Sequence, residues 1–287
     1  MTKLITLISE VVQEVAHPLI RTSLQQAFDN SEHKLDLIEE AFCTLSSSLP
    51  SSVASKACIN RFFHNWSMTN NSAVGLSGFC NRLTLRWRKL HSHEPSPRIN
   101  RQYLNVLSHL NRVTDEDLGA KGGKLHSDLY YEMATIICED DSWLSRKYLL
   151  NEGANFKRWK DRFMVREPDL LMGFLVTLIH EVYTHGEVEF ILPLFDQWLQ
   201  QTTSLDNKER RRCLLWIDVH TKGTEKNHFN ETLQALDDLL ELLEKKIEEY
   251  DLVDIFSEYL SQKALVMATL NNDLKKNCYP ITLLAQA

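Results

Sequence analysis

Glycine and proline are scarce in this chain, at 9 and 7 of 287 residues, so it has little of the punctuation that tight hairpins and many short strands require. No stretch alternates apolar and polar residues well enough to read as a strand, and no repeat of solenoid length is present. The six cysteines, Cys43, Cys58, Cys80, Cys138, Cys213 and Cys278, are scattered without a CxxC or any close pair. That excludes a disulfide framework and suits the reduced, mostly buried thiols of a cytoplasmic protein. Basic charge is outweighed, with 32 Lys and Arg against 39 Asp and Glu and a net charge of −7. The clusters Lys157-Arg158-Lys160 and Arg210-Arg211-Arg212 are too short to form a nucleic-acid footprint and read as solvated helix faces. Long apolar runs are also missing. The longest, Leu170 to Ile179, falls well short of the ~20 residues a membrane-spanning helix needs, and Met1 to Val15 shows no signal-peptide cleavage site. Neither a nucleic-acid nor a membrane partner is expected.

What is present is helical. Hydrophobic residues make up 43% of the chain, enough for a large core. Leu4, Ile5, Ile8, Val11, Val12 and Val15 recur at helical spacing, and Leu35 to Leu45 does so again after the turn at Asp29-Asn30-Ser31, giving two N-terminal helices. Ser46 to Ser52 reads as a linker. Helices are expected over 54–66, 73–90 (stopped by the prolines of 91–97), 99–113, 124–138, 141–150 and 154–165. A long helix is expected from Pro168 to Gln200, then two more over 206–248 and 250–271. The sequence therefore predicts one all-α domain over 1–287, with residues 1–50 as a helical extension.

Three segments place metal-ligand side chains inside apolar helical pattern. In the first, Asp115, Glu116 and Asp117 end one helix and His126 opens the next across a Gly-rich turn. In the second, within the long helix, stand His180, Glu181, His185, Glu187 and Glu189. His185 and Glu189 share a stripe with Leu178, Val182 and Leu192, the face expected to point inward, while Glu187 lies on the neighbouring face with Ile179, Tyr183 and Phe190. Periodicity leaves the choice of carboxylate open. In the third, His220, Glu225 and His228 can share one face if a π-bulge near Gly223 makes one turn of the helix slightly overlong. Buried carboxylates and imidazoles without a counter-charge cost several kcal/mol, and a metal would supply one. Carboxylates with imidazoles and no thiolate suit iron or manganese over structural zinc. His17, His33, His64 and His109 read as ordinary core or surface histidines.

The order Glu-x9-His, a Glu in a long central helix, then His-x4-Glu-x2-His resembles the haem-oxygenase-like di-iron oxidases and oxygenases, among them the CADD-like proteins. In that superfamily the last motif is His-x3-Asp-x2-His, one residue shorter. The resemblance implies a haem-oxygenase-like multi-helix bundle with a metal-binding core over about 100–240. It implies Glu116, His126, Glu189, His220, Glu225 and His228 as ligands, with Glu187 and Glu181 as alternatives to Glu189, two Fe(II) ions per chain, and O2 as co-substrate. The implied reaction is oxidation of a small organic molecule, amino-acid-like, in a biosynthetic pathway, with an external reductant and a homodimer as further partners. Tyr130 and Tyr131, one turn after His126, are placed to line the pocket, with core packing as the plainer role. The rival reading is a metal-free or catalytically inactive interaction protein of the same fold. Haem degradation is not expected, because the segment from His180 to Glu189 has a single Gly.

Overall fold

The computed structural model describes residues 2–49, 52–70, 73–90, 96–120 and 123–280. Fourteen α-helices lie among them. The chain opens with α1 (Leu4–Gln13), α2 (Pro18–Asn30) and α3 (Glu32–Ser46), followed by α4 (Val53–Asn70), α5 (Ala73–Leu90) and α6 (Pro97–Asp117). The middle holds α7 (His126–Cys138), α8 (Asn151–Asp161) and the long α9 (Leu170–Thr202). Four short helices follow, α10 (Asn207–Cys213), α11 (Leu215–His220), α12 (Thr224–Gln234) and α13 (Leu236–Leu243), and α14 (Leu252–Asn277) closes the bundle. Many starts are set by a capping side chain. His17 accepts the N–H of Ile20 with Pro18 in the first turn of α2, Asp169 accepts from Leu171 at α9, and Asp206 with Glu209 forms a capping box at α10.

Several expectations change. Helix α2 is additional to the two helices expected at the N-terminus. Residues 141–150 hold two 3₁₀ turns, Asp141–Leu144 and Arg146–Tyr148, instead of an α-helix. The single helix expected over 206–248 is four, and the one π-helical turn among the described residues is Arg162–Arg166, not near Gly223. Ser48–Leu49 pairs antiparallel with Tyr279–Pro280, a two-residue ladder that no alternation announces. Residues 50–51 of the expected linker and 91–95 of the proline-rich stop lie outside the described residues.

Helix α9 runs through the middle, buried on nearly its whole circumference as far as Thr184 and with an outer side beyond it, and packs against α1, α3, α5, α11, α12 and α14. A Cβ at Gly186 would fall on the side chains of Ile8 and Leu4, so the small residue is what lets α1 lie against α9. The N-terminal residues are thus part of the core, to which Leu4 and Leu274 both belong. Beside α9 an aromatic cluster is built from edge-to-face pairs, Trp66–Trp216 at 5.2 Å and Tyr130–Trp216 at 5.0 Å. Such pairs contribute about 0.5–1.5 kcal/mol each beyond area burial, and they fix Trp216 one turn before His220. Among the described residues no helix is long and apolar enough to cross a membrane.

Candidate metal centre

Helix ends deliver most of the metal-ligand side chains to one place. Asp117 is the last residue of α6, His126 the first of α7 and His220 the last of α11, while Glu225 and His228 lie in the first turns of α12 and Glu181 in the middle of α9. They form two groups, Asp117 with His126 and His220, and Glu181 with Glu225 and His228, and within each group one donor atom per residue lies within 4.8 Å of the others. Glu225 links the two. Its Oε1 is 3.7 Å from Nε2 of His220 and its Oε2 is 3.7 Å from Nδ1 of His228, so one carboxylate faces both groups.

Neighbouring groups orient the imidazoles. The carbonyl of Trp216 accepts a 2.6 Å hydrogen bond from Nδ1 of His220, which leaves Nε2 as the donor atom toward Glu225. Glu116 Oε2 lies 3.2 Å from Nε2 of His228, leaving Nδ1 to face Glu181 at 3.6 Å. Nδ1 of His126 sits 3.0 Å from Asp117. Without a cation the second group is rich in protons. Burial raises the Glu225 carboxyl to about 8 against the lowering effect of His228. Burial works against a charged His228, but hydrogen bonds with Glu116, Glu181 and Glu225 hold it protonated. Burial and the neighbouring His126 lower His220 to about 4, so it stays neutral. Glu181 Oε1 is buried with no hydrogen-bond partner among the described residues. A buried carboxylate oxygen is costly in that state, and a cation between Glu181, Glu225 and His228 would satisfy it. The residues therefore fit a pair of metal ions.

The expected ligand set shifts at two positions. Glu189 lies outside both groups and accepts the backbone N–H of Lys222 at 2.9 Å. Glu187 is occupied elsewhere. It pairs with Lys263 Nζ at 2.9 Å and accepts from Trp66 Nε1 at 2.9 Å and from the Tyr183 hydroxyl. Of the three candidates Glu181 is the one in the groups; Glu189 lies with His185 and Leu192 on the less buried side of α9. At the end of α6, Asp117 stands in the group and half-exposed Glu116 behind His228. Between His220 and Glu225 there is no π-bulge. Lys222 (φ 58°) and Gly223 (φ 97°) make a left-handed turn that ends α11 and starts α12, and this break absorbs the fifth residue of the spacing. Asp117 carried a signal in the acidic run 115–117, but nothing in sequence separates it from Glu116. The plainer histidines are placed as expected: His17 caps α2, His64 Nδ1 meets the Trp143 carbonyl at 2.8 Å, His109 pairs with Glu231, and His33 is exposed.

A cavity of about 340 Å³ borders Asp117, His126, His220 and Glu225 on one side. Tyr130 and Tyr131 both line it. The Tyr130 hydroxyl donates to the Phe63 carbonyl at 2.8 Å, and Tyr131 is 42% exposed, toward the outside. His180, Thr184 and Asn70 also border the cavity.

No protein-family model matches the sequence, and no curated protein matches it. Among solved structures, the chain is similar to a TenA homolog from Pseudomonas syringae pv. tomato str. DC3000, with a TM-score of 0.57 at 11% identity over 88% of this chain and 92% of that one. That likeness shows the fold, a haem-oxygenase-like, all-helical bundle.

Proposed function

We propose that this chain is a non-haem di-iron oxidase or oxygenase that uses O2 to oxidise a small organic substrate held in the cavity beside His220 and Glu225. The observation that carries the reading is Glu225, whose two oxygens turn to two different histidines, each histidine belonging to a separate group of ligand atoms. A carboxylate bridging two ions between helices is how bundles hold a di-iron pair. Imidazole and carboxylate donors without thiolate favour iron or manganese. Asp117, His126 and His220 would hold one ion, Glu181 and His228 the other, and Glu225 both. When bound, the metal pair supplies the activation of O2. The chain's own part is to orient His220 through the Trp216 carbonyl, orient His228 through Glu116, and present the substrate on the cavity side of the ligands.

A metal-free reading is favoured by one observation: the His228 ring lies 3.2 Å from Glu116, 3.6 Å from Glu181 and 3.7 Å from Glu225, and a proton on it would supply part of the counter-charge that a metal otherwise provides. The two readings part on metal content. Protein produced with iron, desalted anaerobically and analysed by mass spectrometry of the metals, is expected to hold about two Fe per chain and to consume O2 when reduced. Protein that takes up no iron, or whose iron is indifferent to Glu225→Ala and His220→Ala, would overturn the di-iron reading.

A further inference from the structure

Cys58 and Cys278 lie far apart in sequence, one in the second turn of α4 and the other at the C-terminal cap of α14, and the packing of α4 on α14 brings them together. Each thiol reaches across to the other's helix. Cys58 Sγ lies 3.8 Å from the carbonyl oxygen of Asp273, and Cys278 Sγ lies 3.9 Å from that of Ser55, one turn before Cys58. The thiols themselves adjoin, close enough to share a hydrogen bond. Their meeting point is held on both sides: Arg61, one turn after Cys58, pairs with the Asp273 carboxylate, and the two residues after Cys278 pair with Ser48–Leu49.

The two thiols differ in access and in acidity. Cys58 is buried, whereas Cys278 is half-buried. The Cys58 thiol, against burial and with the Ser48 hydroxyl, lowers the Cys278 thiol; contact with Cys278, and then burial, raises Cys58. Access and thiolate character therefore coincide at Cys278, and a second thiol stands beside it to resolve an oxidised sulfur. Cys43 makes the contrast. It too is half-buried, but burial and the carboxylates of Glu39 and Glu40 raise its thiol, which leaves it a poor nucleophile.

We propose that Cys58 and Cys278 form a reversible disulfide when the protein meets hydrogen peroxide, a covalent staple between α4 and the end of α14. The Cys278 thiolate attacks one oxygen of the peroxide and becomes a sulfenic acid; the hydroxide that leaves takes up the proton Cys278 had given to solvent. The Cys58 thiol then attacks that sulfur, the S–S bond forms, and the sulfenic hydroxyl leaves as water with the Cys58 proton. Two thiols and one peroxide thus give one disulfide and two waters. The loop closed in this way runs from α4 to the end of α14 and contains every residue of the two ligand groups, so the staple braces the centre from outside it. None of this depends on the di-iron reading.

The test uses the full chain, reduced with dithiothreitol, freed of the reductant, kept metal-free by a chelator and exposed to a small excess of hydrogen peroxide. Remaining thiols are alkylated, and peptides from a non-reducing digest are read by mass spectrometry. The expected result is a Cys58–Cys278 cross-linked peptide from within one chain, lost on adding dithiothreitol. The Tm of the linked protein is expected to rise by roughly 5 °C or more, because the link restricts the unfolded chain, and to return on reduction. Cys58→Ser should stop the link and leave a Cys278 sulfenic acid that dimedone traps, Cys278→Ser should abolish both, and Cys43→Ser should change neither. Oxidation that spares the pair overturns the proposal, as does a link to another cysteine or between two chains. A linked chain whose Tm is unchanged or lower overturns the staple, and so does a Tm rise that persists in folded Cys58→Ser and Cys278→Ser.

Discussion

Glu116 lies half-exposed at the end of α6, yet its Oε2 sits 3.2 Å from Nε2 of the buried His228. That contact turns Nδ1 of His228 to Glu181 and Glu225, so Glu116 acts on the site through the ring it holds. Glu116→Ala is expected to weaken metal binding by roughly 10–100-fold while leaving the saturating stoichiometry unchanged, as for other groups behind a ligand. Glu181→Ala is expected to remove one ion outright, and Glu189→Gln to leave both. Competitive titration against a chelator of known affinity, with metal content measured at saturation, separates these outcomes.

The ionisable groups of the centre give the metal-free protein a stability window. Glu225 is raised from 4.5 to about 8, so its contribution is present at low pH and is lost as pH rises toward about 8. His228, raised from 6.5, loses its contribution on the same alkaline side. His220, lowered from 6.5 to about 4, contributes above 6.5 and loses that contribution as pH falls through about 4. The Tm of metal-free protein is therefore expected to fall between pH 6.5 and 8, and bound metal should oppose the fall because its ligands must lose their protons. Calorimetric melts across pH with and without Fe(II) check this; a metal-free Tm that rises from pH 6.5 to 8 would contradict it.

Glu225→Gln removes the buried carboxyl and keeps its shape. Near pH 8 the metal-free variant is expected to be more stable than the parent by roughly 1–3 kcal/mol, because it no longer has to hold a buried carboxyl protonated at a pH where the unfolded chain's carboxyl is ionised. It is also expected to hold fewer than two ions. Urea unfolding at pH 8, paired with metal analysis, reads both effects, and a destabilised variant that still binds two ions would refute the bridging role.

Lys263 and Glu187, each 1% exposed at the side chain, form a pair in the core distinct from the two ligand groups. Lys263→Met strands Glu187 and is expected to cost about 3–5 kcal/mol, whereas Lys263→Met with Glu187→Gln recovers most of the loss. Neither change is expected to alter metal content. Equilibrium unfolding of the two single variants and the double variant gives the interaction energy.

The helical class was readable because apolar residues recur at helical spacing through most of the chain; of the expected site residues, Glu225 and His228 stand in one group and His126 and His220 in the other, and His220 shares no helix face with Glu225 because α11 and α12 are separate helices. The stripe through His185, Glu189 and Leu192 is the less buried side of α9 and runs on into exposed Pro193, Asp196, Gln197 and Gln200, so its apolar members did not mark an inward face. The choice between Glu116 and Asp117 turns on where α6 stops, a matter of one residue of helical rotation beyond the resolution of periodicity. Helix α2 went unexpected, its start marked only by the short signal of His17 as cap and Pro18 in the first turn. The pairing of Ser48–Leu49 with Tyr279–Pro280 was not, since two residues carry no pattern. Glu187, with three polar partners, differs from an orphaned carboxylate only through Trp66, Tyr183 and Lys263, which arrive from three places in the chain.

The left-handed step at Lys222 and Gly223 interrupts the hydrogen-bond ladder between α11 and α12. Across the break the backbone keeps a single turn hydrogen bond, from the Thr224 N–H to the Thr221 carbonyl at 3.3 Å, so His220 and Glu225 stand on separate levers joined by a short hinge. A Cβ at Gly223 would touch nothing, so the glycine is there for its dihedral angle alone. Ions bound across this joint would lock the levers together, making coordination itself the brace that a continuous helix would otherwise have provided.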